Sequence, residues 1–170
     1  MIALCICGDA DGSSAQLYPH DLYRNTLPKD AYSPDWDKVV KDPSNMAVVQ
    51  KEERFKRGMQ LCAQQIADSG KSYDAVVCVD STEGVMPRSI NTFLPALETH
   101  IVFVTAGYMP WWAIYDYRTI IASQRNFQAL AAISTLHRRQ YALRNKTLGL
   151  PHAIRDHLYL CGLRAISVQA

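Results

Sequence analysis

The sequence predicts an α/β fold, with a doubly wound, mainly parallel sheet flanked by helices. Three observations carry that prediction. Apolar runs at residues 2–7, 74–79 and 100–104 lack polar alternation, as strands covered on both faces do. Each run ends in polar or glycine residues: Gly8-Asp9, Asp80-Ser81-Thr82 and Thr105-Ala106-Gly107. Helical patterns separate the runs, and β–α–β–α–β alternation implies parallel strands joined by crossovers.

Residues 2–7 read as a buried first strand, too short and too poor in basic residues for a signal peptide. Residues 18–46 read as an irregular, lid-like insertion with Pro19, Pro28, Pro34 and Pro43 spread through it, a lid or binding loop or else a stretch with short helices of its own, 35–40 being one such turn. A helix is expected over 48–69, because Phe55, Met59, Cys62, Ala63 and Ile66 fall on one stripe. Lys51, Glu52, Glu53, Lys56 and Arg57 lie largely off that stripe, and Gly70 closes the helix. The second strand, 74–79, follows. Pro87 suits the first turn of a helix over 87–98, shortened or kinked by Pro95.

The third strand, 100–104, leads into a long helical region, 115–144, with a break near Ser123 or Ser134. Pro151 opens a last helix, 152–161, and Gly162 turns the chain into a final strand, 164–168. The result is one Rossmann-like domain spanning residues 1–170. Ligands of such sheets bind beyond the carboxyl ends of the strands. Asp9, Asp11, Asp80, Ser81, Thr82 and Thr105 are therefore expected to converge on one crevice.

The bulk properties narrow the classes. No apolar run approaches the roughly 20 residues that a bilayer-spanning helix needs, so no membrane partner and a cytoplasmic location are expected. Five cysteines, mostly inside apolar segments, argue for reduced, structural thiols over a disulfide framework. Cys5 and Cys7 share one strand face without a second pair at metal spacing. The five histidines show no metal-binding spacing, and no Ser-His-Asp arrangement can be argued. Net charge is +2 but uneven: residues 1–100 hold ten Lys/Arg against fourteen Asp/Glu, and residues 101–170 hold eight against two. A basic C-terminal half favours an anionic partner, or is simply a solvated face.

The loop Gly8-Asp9-Ala10-Asp11-Gly12-Ser13 carries the chemistry. Two carboxylates two residues apart after a buried strand can face one site, one as nucleophile or metal ligand and the other transferring protons. A plain turn is the alternative, since Asp and Gly are ordinary turn residues. A calcium loop is excluded, because position twelve counted from Asp9 is His20.

Asp9-Ala10-Asp11-Gly12-Ser13 resembles the first motif of haloacid dehalogenase-like phosphatases, a hydrophobic strand followed by Asp-x-Asp-Gly-Thr. The resemblance implies that Asp9 attacks phosphorus and Asp11 is the acid/base. It also implies that Mg²⁺ is held by Asp9, Asp11 and Asp80, with Ser13 in the Thr slot. Ser81, Thr82 or Thr105 would supply the second motif, and Lys146, the only lysine after Lys71, the family's lysine. Arg24, the stretch 34–37 and residues 155–168 are similar to phosphatase domains of polynucleotide-kinase type, which implies a phosphorylated small molecule or a nucleic-acid end as substrate. The sequence departs from the family in lacking a late acidic pair, Asp116 and Asp156 being its only late acids.

The same loop is similar to the first motif of DHH phosphoesterases, with Val79-Asp80 fitting their second, but their Asp-His-His signature is absent. Residues 74–105 also look like part of a translational GTPase domain, although no Gly-x4-Gly-Lys-Ser/Thr loop exists to cradle phosphates. The competing expectation is a catalytically inactive binding domain using the basic, aromatic C-terminal half. There Tyr108-Met109-Pro110-Trp111-Trp112, Tyr115 and Tyr117 could stack a base, but packing or a homo-oligomer interface is the preferred reading.

Overall fold

The computed structural model of the chain describes residues 1–10, 21–28, 43–87, 89–105, 115–133 and 150–169. These form a six-stranded mixed sheet with three α-helices, an α/β fold. In chain order the elements are β1 (Ile2–Asp9), β2 (Asp21–Leu27), α1 (Pro43–Ser69), β3 (Ala75–Asp80), a 3₁₀ turn (Leu94–Glu98), β4 (His100–Thr105), β5 (Thr119–Ala122), α2 (Gln124–Ala131), α3 (Leu150–Cys161) and β6 (Arg164–Gln169). The sheet order is β2-β1-β3-β5-β4-β6. β1 pairs in parallel with β2 and β3, β4 pairs in parallel with β6, and β5 runs antiparallel between β3 and β4.

The inner strands are buried along their lengths, and their side chains alternate between two apolar layers. Ala3, Cys5, Cys7, Val76, Cys78, Ile101 and Phe103 face Phe55, Met59 and Ile66 of α1, Phe127 and Leu130 of α2, and Ile154 and Leu158 of α3. Leu4, Ile6, Val77, Val79, Val102, Val104 and Ile121 face the other way, onto Ile90, Leu97, Met86 and Phe93. All three described α-helices thus contribute to one layer, and the segment around the 3₁₀ turn covers the opposite one. No helix among the described residues is long and apolar enough to cross a membrane.

Several elements differ from the sequence prediction. Residues 21–27, expected within an irregular insertion, form the edge strand β2, whose partly exposed side chains hide the usual apolar signal. Residues 29–42 lie outside the described residues, and α1 starts at Pro43, earlier than expected. The expected helix over 87–98 is reduced to the 3₁₀ turn 94–98, with Pro95 in its first turn. Within the expected helix 115–144, the fully buried Thr119-Ile120-Ile121-Ala122 is a strand instead. Three of these four residues are β-branched, a preference for extended backbone that the helical reading overlooked. Ser123 then caps α2, its side chain accepting the Asn126 N–H at 3.2 Å. The predicted closures of α1 and α3 hold, with Gly70 and Gly162 both at φ +68.

Helix α1 lies unusually close to the sheet at Gly58. A Cβ there would overlap Asn25 O and come 2.9 Å from Cys7 Cβ. Only a glycine lets the helix backbone approach β1 and β2 this closely.

Candidate functional site

Because β1 and β3 are parallel neighbours, their carboxyl ends bring Asp9 and the Asp80-Ser81-Thr82 turn side by side. Ser81 N donates to Cys7 O at 2.8 Å, and Ser81 Oγ donates to Asp9 O at 2.7 Å. Asp80 Oδ1 accepts three hydrogen bonds from its own turn: Thr82 N at 2.9 Å, Thr82 Oγ1 at 2.8 Å and Glu83 N at 2.9 Å. The other oxygen, Asp80 Oδ2, is buried with no hydrogen-bond partner among the described residues. It faces Gly8, which sits at φ +101 and whose absent Cβ would lie 2.8 Å away. A side chain at position 8 would fill that space.

A charged segment of α1 closes the site. Glu52, Glu53, Arg54 and Lys56 are all buried, against the expectation that charges near 51–57 lie mostly off the core stripe. Arg54 Nε donates to Asp9 Oδ1 at 2.5 Å, with only 6% of the Arg54 side chain exposed. Glu53 pairs with Lys56 at 2.9 Å and with Arg57 at 3.3 Å. Glu52 accepts the Leu150 N–H at 2.7 Å, anchoring the first turn of α3.

A second network borders the first. Glu83 accepts from Lys51 and from Arg118 Nη1, the latter at 2.7 Å, while Arg118 also grips Asp116 through Nε at 2.8 Å and Nη2 at 2.7 Å. Hydrogen bonds from Lys51 and then Arg118 hold the Glu83 carboxyl below its usual value of 4.5. Burial, reinforced by Glu52, Asp80 and Glu83, pushes the neighbouring Tyr117 phenol up.

The Glu83 shift makes a pH prediction. A carboxyl whose pKa is depressed by folding adds stability above its unfolded value, and that stability disappears as pH falls through the folded value. Glu83→Gln is therefore expected to cost up to about 1 kcal/mol near neutrality, since Glu83 is substantially exposed. It should cost progressively less below about pH 4.5. Urea midpoints measured from neutral to acid pH check this; an equal deficit at every pH would show that the ion pairs contribute nothing.

Of the residues singled out in the sequence, Asp9, Asp80, Ser81 and Thr82 meet at this edge. Thr105 ends β4, separated from β3 by β5, so it lies roughly two strand spacings, about 10 Å, from Asp80. Asp11, Ser13 and Lys146 lie outside the described residues, as does the aromatic stretch 108–114. Tyr115 stacks on Phe103 at 4.7 Å and Tyr117 packs on Phe55 at 4.9 Å, which fits the packing role expected for these two. Arg54, Lys51 and Glu83 were not expected at this site, and the pairing of Arg118 with Asp116 was not foreseen. For Arg54 and Lys51 the signal was the dense charge run at 51–57; Glu83, Asp116 and Arg118 carried none beyond their places beside the ends of β3 and β5.

The described residues suit a cation in two respects. Across the two networks five cations, Lys51, Arg54, Lys56, Arg57 and Arg118, stand against six carboxylates, Asp9, Glu52, Glu53, Asp80, Glu83 and Asp116. The orphaned Asp80 Oδ2, left open by Gly8, is an oxygen ligand of the kind Mg²⁺ takes. Among the described residues no three His, Cys, Asp or Glu side chains converge on one metal position.

Compared with protein-family models and with curated proteins, the sequence matches none.

Proposed function

We propose that this chain is a metal-dependent phosphohydrolase acting on a phosphomonoester, a phosphorylated small molecule or a nucleic-acid end. The observation that carries the reading is the acidic edge at Asp9 and Asp80, with its excess carboxylate and the unpartnered Asp80 Oδ2. In this reading Asp9 supplies the nucleophilic oxygen. Arg54, bonded to Oδ1, fixes the carboxylate so that Oδ2 is presented. Asp11 gives a proton to the leaving oxygen and takes one from the attacking water. Ser13 and Lys146 bind phosphate oxygens, with Ser81, Thr82 or Thr105 in the role of the second motif. Asp9, Asp11 and Asp80 would hold Mg²⁺, which supplies positive charge to the phosphate. The reading includes a doubly wound Rossmann-like sheet and a cytoplasmic location, with residues 108–114 of the aromatic stretch as a homo-oligomer contact, since Tyr115 and Tyr117 pack within the chain.

One observation favours the second reading, a non-catalytic binding domain. The Ser81 and Thr82 hydroxyls are both engaged within the turn, and Asp9 is engaged by Arg54. A panel of phosphomonoesters assayed with Mg²⁺ and with chelator separates the two. The hydrolase reading expects turnover that chelation abolishes and that Asp9→Asn lowers by at least about a thousandfold. Asparagine keeps an oxygen to accept from Arg54, and a urea unfolding curve of Asp9→Asn distinguishes lost chemistry from lost fold. Absence of turnover in the wild type, with calorimetric binding of the same esters, would establish the binding domain.

A further inference from the structure

Beneath α1 lies a group of thiols that the acidic edge does not use. Cys5, Cys7, Cys62 and Cys78 are all fully buried, whereas Cys161 is exposed. Cys7 Sγ lies 3.8 Å from Cys62 Sγ and 3.6 Å from Cys78 Sγ, and Cys5 stands opposite Cys78 in the parallel register. Close packing at Gly58 presses the helix onto β1 and brings the helical Cys62 within reach of the strand thiols.

Cys62 differs from the other three in its surroundings. Asn25 Nδ2 donates to its sulfur at 3.1 Å, a bond that only the sulfur can accept. Asn25 in turn forms a reciprocal pair with Gln65, at 2.9 and 3.1 Å, and Gln65 is exposed. This amide pair lies between Cys62 and solvent at the β2 edge. In its thiol form Cys62 can donate to Tyr23 O at 3.4 Å. Burial pushes Cys5, Cys7 and Cys78 up, while hydrogen bonds from Cys5, then Cys7, and from Asn25 pull Cys62 down. Of the four, Cys62 is the one whose sulfur accepts a hydrogen bond from a side-chain amide.

We infer that Cys62 and Cys7 form an oxidisable dithiol, in which a peroxide reaches Cys62 past the Asn25–Gln65 pair and Cys7 completes a disulfide. The Cys62 thiolate attacks one peroxide oxygen, the O–O bond breaks, and hydroxide leaves, giving a sulfenic acid. Cys7 sulfur then attacks Cys62 sulfur, and the sulfenic oxygen departs as water. Overall two thiols and hydrogen peroxide give one disulfide and two waters; the cysteines are oxidised and the peroxide is reduced. The sulfurs must approach to about 2.05 Å from their present 3.8 Å, and side-chain rotation must supply the movement, because α1 already lies against β1 at Gly58. The bridge would tie the helix carrying Arg54 to the strand carrying Asp9.

The test treats the full chain with hydrogen peroxide, alkylates the remaining thiols and maps the peptides by mass spectrometry. The inference expects a Cys7–Cys62 linked pair, lighter by two hydrogen atoms, and its absence in Cys62→Ser. Gln65→Ala, which uncovers Cys62 but keeps its Asn25 bond, should speed bridge formation severalfold and needs no cysteine variant to fold. Cys161→Ser should leave the bridge unchanged. A bridge between any other pair, oxidation confined to Cys161, or no effect of Gln65→Ala would overturn the inference.

Discussion

Arg54→Ala is expected to lower the unfolding free energy by about 3–5 kcal/mol, the range for removing one partner of a buried ion pair. The Arg54 side chain is 6% exposed and that of Asp9 18%, so water can replace the guanidinium only in part. Truncation leaves the Asp9 carboxylate at the sheet edge without the donor that lies 2.5 Å from Oδ1. It also removes a long apolar stem from beneath the edge. Arg54→Lys keeps the charge but cannot reproduce the Nε–H geometry, so it should recover only part of the loss. In a double-mutant cycle with Asp9→Asn, the combined loss should fall short of the sum by at least about 0.5 kcal/mol. Urea unfolding measures all three. A loss under about 1 kcal/mol for Arg54→Ala would place this pair with ordinary surface ion pairs and remove its positioning role.

Gly58→Ala is the second large effect, and its sign is the informative part. In an exposed helix interior, alanine stabilises relative to glycine by about 1 kcal/mol. Here the added methyl would meet Asn25 O and lie 2.9 Å from Cys7 Cβ, and neither backbone nor strand side chain can swing aside. Overpacking of this kind costs about 1–3 kcal/mol, so the expected net result is destabilisation, larger again for Gly58→Val. Thermal and urea midpoints decide the matter. A more stable Gly58→Ala protein would mean that α1 stands further from β1 and β2.

The buried strands were legible because they carry their signal in continuous apolar runs. The strands read at 2–7, 74–79 and 100–104 fall within a residue or two of the observed Ile2–Asp9, Ala75–Asp80 and His100–Thr105. The two missed strands lack that signal for opposite reasons. β2 is an edge strand whose Leu22 is 45% exposed, so its composition looks like a loop. β5 is only four residues long and joins a helix through Ser123, so its buried run merges with a helical pattern. At the site, Asp9, Asp80, Ser81 and Thr82 could be placed together because strand exits converge whenever strands are parallel. Arg54 could not. Its meeting with Asp9 depends on how closely α1 lies on the sheet, and that distance is set by Gly58 rather than by helical periodicity.

The antiparallel β5 also bears on how the chain folds. β3 and β4 are made first, yet they do not pair with each other; β5 must arrive between them. Until residue 122 has been synthesised, β3 keeps one unsatisfied edge and β4 keeps both. β4 then waits for β6, whose pairing joins His100 to Arg164. Such late, long-range closures place folding in the slower range of mixed α/β domains, and they expose β3 and β4 to wrong partners while the chain is incomplete.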